Sequence, residues 1–100
     1  MRLSEKQVAQ IKSAAADVFG ADAQVWLFGS RVNDQRRGGD IDLYVELPAD
    51  MDEQEAVLQT RFWTRLQRDL GEQRIDIVTH VTGTTMRPID QQARATGICL

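Results

Sequence analysis

The chain has 100 residues, enough for one domain, with 12 Lys and Arg against 15 Asp and Glu, a net charge of −3. That balance argues against bulk electrostatic binding to DNA, and no apolar run approaches the ~20 residues that span a bilayer. The opening MRLSEKQVAQ lacks the apolar core of a signal peptide, so a cytoplasmic location is expected, and a lone Cys99 allows neither an internal disulfide nor a cysteine-based zinc site.

Ser4 with Gln7 three residues on has the form of a capping box, and Val8, Ile11, Ala15 and Val18 then recur at helical spacing up to Gly20. A helix is predicted over Ser4–Phe19, with a core-facing stripe and no chemistry. Gln24–Phe28 is an apolar run rich in β formers, suited to a central strand, and Gly29-Ser30 ends it. RVNDQRRGG is polar and glycine-ended, hence a loop. Asp40–Leu47 alternates, placing Ile41, Leu43, Val45 and Leu47 on one face and Asp40, Asp42, Tyr44 and Glu46 on a polar one.

A helix from about Asp52 to Leu70 has Leu58, Phe62 and Leu66 as its core stripe. Arg61, Arg65 and Arg68 sit in its C-terminal half, where the helix dipole favours cations, so they need no ligand. Arg74–Thr79 reads as a third strand with Asp76 opposite Ile75 and Ile77. His80, following that strand without an evident partner, reads as a surface residue. Trp26 and Trp63 read as core or partner-facing aromatics. A last helix has Pro88 in its first turn and Thr85 as a possible cap; it stops near Gly97, leaving Ile98–Leu100 as a packed tail. The order is that of one compact α/β layer pair.

Residues two apart on a strand point to the same side, so Asp40 and Asp42 present two carboxylates together. Such a pair repels, and a divalent cation removes the conflict; Mg²⁺, a hard oxygen-seeking ion, is the natural occupant. If the third strand pairs beside Asp40–Leu47, Asp76 joins them, and three carboxylates can hold two metals for phosphoryl transfer. Gly29 lets the backbone turn tightly and approach a ligand, and the amides and hydroxyl at Ser30 can donate to phosphate. Arg31, Arg36 and Arg37 divide evenly between phosphate contact and solvated loop. The plainer reading of Asp-Ile-Asp alone is a solvent-facing strand; Gly29-Ser30 before it and Asp76 after it make that reading a poor one.

Gly29-Ser30, nine residues, Asp40-Ile41-Asp42-Leu43, and later Arg74-Ile75-Asp76-Ile77-Val78 resemble the DNA polymerase beta-like nucleotidyltransferase superfamily, and within it the minimal nucleotidyltransferase (MNT) domain. The resemblance covers most of the chain and implies a single domain over residues 1–100, an α/β (α+β) fold with a small mixed sheet and helices packed on one face. It implies Asp40, Asp42 and Asp76 as metal ligands and catalytic carboxylates, Asp76 being the general base. Gly29, Ser30 and Arg31 become the nucleotide-binding turn, Mg²⁺ the cofactor and ATP the NTP. Free-standing MNT domains resemble antitoxins that transfer AMP to a hydroxyl of a HEPN ribonuclease toxin, so a HEPN partner is expected, with no membrane and no direct DNA binding. The alternatives are a non-catalytic module that masks the HEPN partner and a small-molecule nucleotidyltransferase of the aminoglycoside type. Gly39 departs from the serine that many relatives carry before the first aspartate, and Arg36 and Arg37 match no family role.

Overall fold

A computed structural model describes residues 3–29, 41–49 and 55–100. The chain runs α1 (Glu5–Phe19), β1 (Gln24–Phe28), β2 (Ile41–Leu47), α2 (Glu55–Leu70), β3 (Ile75–Val81), α3 (Pro88–Thr96) and β4 (Ile98–Cys99). These elements build an α+β domain around a four-stranded mixed sheet in the order β3-β2-β1-β4. No described helix is long and apolar enough to cross a membrane.

The capping box at Ser4 is formed. The Ser4 hydroxyl accepts from the Gln7 N–H at 3.1 Å, and the Gln7 side chain accepts from the Ser4 N–H at 3.0 Å. Two donors that helix geometry leaves unpaired are thereby satisfied. The C-terminal tail is more than packed chain: Ile98 and Cys99 pair antiparallel with Leu27 and Trp26.

Alternation along the strands divides the sheet into two faces. One carries Val25, Leu27, Ile41, Leu43, Val45, Leu47 and Ile75, and against it pack Ile11, Ala14, Ala15 and Phe19 of α1 with Leu58, Phe62 and Leu66 of α2. Phe19 meets Phe62 edge to face at a ring separation of 5.1 Å. This is the main core, and α1 and α2 share one face as expected. On the opposite face α3 adds a partial cover, closing a smaller cluster of Trp26, Phe28, Tyr44 and Ala93.

That cover changes the reading of the polar face of β2. Tyr44 is fully buried there, beside Trp26 at 5.5 Å between rings, while Asp42 and Glu46 on either side remain half-buried. A tyrosine ring has enough apolar surface to be worth burying once a helix covers it, and its hydroxyl finds an acceptor in Glu46.

The cap of α3 also differs from expectation. Arg87, not Thr85, is the N-cap. The buried Asp90 carboxylate accepts from the Arg87 N–H and from its guanidinium, each at 2.9 Å. A carboxylate in the first turn suits the helix dipole and satisfies the donor that a Thr85 cap would not reach. Arg65 pairs with Asp17 of α1 and Asp69 of its own helix, and Arg68 with Asp69, so both cations have structural partners.

Candidate active site

β2 and β3 run parallel, and the register sets Asp42 directly beside Asp76. Neighbouring strands lie about 4.8 Å apart, and paired residues point to the same face. Antiparallel pairing with β1 brings Phe28 next to Asp42, so the turn at Gly29 begins immediately beside the Asp42 carboxylate. Three segments distant in sequence therefore meet at one end of the sheet, on the face that α3 only partly covers.

Gly29 has φ = 77°, a left-handed conformation that side chains disfavour. A Cβ there would overlap the Asp42 Oδ2 and stand 3.0 Å from its Cγ. The backbone thus passes against the carboxylate at a distance only glycine permits. Asp76 is exposed, and it borders a cleft of about 250 Å³ lined also by Gln59, Thr60, Trp63, Ile75 and Ile77.

Of the residues expected in the site, the structure brings together Gly29, Asp42 and Asp76. Ser30, Arg31 and Asp40 lie outside the described residues, as do Arg36 and Arg37. Among the described residues no group of three or more acidic, histidine or cysteine side chains could share a metal ion. The donor set nonetheless fits a hard divalent cation. Asp42 and Asp76 are neighbours across the two strands, and carboxylate oxygens are the donors such a cation prefers.

A second polar cluster was not anticipated. His80 lies inside β3 and is buried, not a surface residue beyond the strand. Its Nδ1 stands 2.9 Å from Glu46 Oε1, and its Nε2 is 3.1 Å from the Thr84 carbonyl. The Thr84 hydroxyl donates to the Val81 carbonyl at 2.7 Å, so it has no proton for the ring. Both ring nitrogens thus face acceptors, an arrangement that favours the protonated ring. Glu46 further accepts from Tyr44 at 2.5 Å and from Thr82 at 2.6 Å. The signal for this pair was present in the spacing. Glu46 is four residues after Asp42 and His80 four after Asp76, so the register that joins one pair joins the other.

Burial opposes the charge on both partners, yet the hydrogen bonds outweigh it. His80 is raised above its ordinary value of 6.5, and Glu46 is lowered below 4.5. The raised histidine contributes stability that is complete below pH 6.5 and is lost as pH rises through its folded value. The lowered glutamate contributes stability present above pH 4.5 and lost as pH falls through its folded value. Thermal unfolding from pH 5 to pH 9 is expected to show the wild type losing stability above pH 6.5, a loss that His80→Gln flattens. An equal slope in the two proteins would contradict the imidazolium.

A mixed sheet with α1 and α2 on one face, and paired strand aspartates beside a glycine turn, describe a transferase scaffold of the polymerase beta-like kind. The chain matches the family model of the nucleotidyltransferase domain over residues 8–94, and it belongs to that family. No curated protein shows a significant match to it. Nucleotidyl transfer is therefore its general chemistry, and domains of this family generally use an NTP and a divalent metal.

Proposed function

We propose that the chain is a minimal nucleotidyltransferase domain, one unit over residues 1–100, that moves AMP from ATP to a hydroxyl of a partner protein. The partner in this reading is a HEPN-domain ribonuclease, and the modification neutralises it, making the chain a cytoplasmic antitoxin. The observation that carries the chemistry is the parallel register of Asp42 with Asp76, closed on one side by Gly29.

Asp42, with Asp40 preceding it, and Asp76 would hold Mg²⁺, which when bound neutralises charge on the triphosphate and on the reacting oxygens. The Gly29-Ser30 turn, with Arg31, holds the phosphates by backbone amides and charge. Asp76 takes the proton of the acceptor hydroxyl as its oxygen bonds to the α-phosphorus. The bond from that phosphorus to the β-phosphate oxygen breaks, and pyrophosphate leaves. Holding the hydroxyl and the α-phosphate in one geometry supplies much of the acceleration.

A protein acceptor is the reading supported by the resemblance of Gly29-Ser30, Asp40-Ile41-Asp42 and Arg74-Ile75-Asp76 to free-standing MNT domains. The test is co-expression with a HEPN protein followed by incubation with ATP labelled in the α-phosphate and Mg²⁺. Label is expected on the HEPN protein. Neutralisation of the ribonuclease with no label on it would replace transfer with masking, and label on an aminoglycoside alone would move the acceptor to small molecules.

A further inference from the structure

β3 is an edge strand, and its hydrogen bonding shows which part of that edge is closed. The Ile41 N–H donates to the Arg74 carbonyl, and the Thr82 N–H donates to the Leu47 carbonyl. In a parallel ladder this parity turns the backbone groups of residues 74, 76, 78, 80 and 82 inward to β2. Those of Ile75, Ile77, Thr79 and Val81 face outward. In the far half of this edge the two outward carbonyls are capped from within the chain. Arg87 Nη2 donates to the Thr79 carbonyl at 2.7 Å, and Thr84 donates to the Val81 carbonyl through both its N–H and its hydroxyl.

The near half is treated differently. No described residue hydrogen-bonds to the outward groups of Ile75 and Ile77, which line the cleft beside Asp76. Trp63 flanks the same cleft and is 45% exposed, a large apolar surface left in water. Edges left open in a row of unpaired N–H and C=O groups are templates for another strand, and proteins ordinarily blunt them. Among the described residues, the carbonyl capping stops where the candidate catalytic carboxylate begins.

We infer that the acceptor enters as an extended polypeptide segment that adds a strand along β3 at Ile75–Ile77, an inference that rests on the nucleotidyl-transfer reading above. Main-chain pairing sets its register, as in other strand-addition complexes. A residue of that segment level with Asp76 points to the face that Asp76 and Asp42 share, so its Ser, Thr or Tyr hydroxyl lies next in line after the two carboxylates. Its neighbours point to the other face, where Trp63, Thr60 and Gln59 line the cleft. Alternation thus gives the acceptor one reactive side and one anchoring side. In the step itself the hydroxyl oxygen gains the α-phosphorus, Asp76 receives its proton, and pyrophosphate departs.

The test uses the whole chain, labelled with ¹⁵N, and an acetylated seven-residue peptide of alternating Val and Thr around a central Tyr. The expected result is chemical-shift change at the amides of Ile75 and Ile77 and at the Trp63 indole. Two control peptides are N-methylated at every second amide, in opposite phases. One phase blocks pairing and weakens binding roughly tenfold or more; the other leaves it unchanged. Absence of shifts at the edge, or equal binding by both methylated peptides, overturns the inference. So do edge shifts that appear on concentrating the chain without peptide, which would assign the edge to a second copy. Edge binding without label transfer from ATP upholds the docking and counts against the transferase reading. Label on the peptide without edge shifts does the reverse.

Discussion

Asp42→Asn is expected to abolish nucleotidyl transfer while leaving the sheet intact. The amide has the shape of the carboxylate, so the pairing of β2 with β1 and β3 and the packing beside Phe28 persist. What disappears is a negative oxygen donor at the point where Asp42 meets Asp76 and the Gly29 turn. Losing about 4 kcal/mol of transition-state stabilisation corresponds to a rate lower by roughly a thousandfold. Comparing α-label transfer rates for the two proteins, alongside their denaturant unfolding curves, checks both halves of the expectation. A variant that folds normally and transfers at the wild-type rate would remove Asp42 from the chemistry.

Gly29→Ala is expected to damage both stability and transfer. Two costs combine at this position. The left-handed backbone at φ = 77° costs a non-glycine residue about 1–2 kcal/mol. The added methyl would also occupy the space of the Asp42 carboxylate, so the turn or the aspartate must move. Gly71→Ala separates the two. Gly71 has φ = 84°, but a Cβ there meets nothing within 4 Å, so it carries the backbone cost alone. The account predicts loss of about 1–2 kcal/mol and unimpaired transfer for Gly71→Ala, and a larger stability loss with at least a roughly hundredfold fall in transfer for Gly29→Ala. Equal effects on the two proteins would mean that the contact with Asp42 has no part in catalysis.

How far the sequence carries the fold depends on whether a contact is local. The capping box of α1, the alternation of β2 and the stripe Leu58, Phe62, Leu66 are all set by residues within a turn or two of one another, and each is present. Tyr44 and His80 depart from the pattern because their burial comes from partners far along the chain. α3 covers the ring of Tyr44, and Glu46 on the neighbouring strand neutralises the charge of His80. Periodicity reports a face as polar without reporting what later segment comes to lie on it. The cap of α3 departs for a related reason, since a threonine is a common cap, whereas Arg87 serves here through the reach of Asp90 back to its N–H.

The candidate site was legible to a comparable extent. Asp42 and Asp76 are each readable as polar strand residues between apolar neighbours, and pairing of their strands is enough to join them. The closeness of Gly29 to Asp42 follows from the turn of the chain after Phe28 and has no counterpart in spacing alone. The half-open edge of β3 was invisible for the same reason. Which backbone groups face outward depends on the parity of the ladder, and which of those are capped depends on Arg87 and Thr84 returning to them.

Whether the carboxylate pair at the head of β2 and β3 serves transfer of a nucleotide is decided by following both ends of the triphosphate. Wild-type protein, Mg²⁺ and the acceptor protein are incubated in parallel with ATP labelled at the α-phosphate and with ATP labelled at the γ-phosphate. The α-label is expected on the acceptor and the γ-label in pyrophosphate. Label from the γ-phosphate on the acceptor, with the α-label left in ADP, would contradict nucleotide transfer.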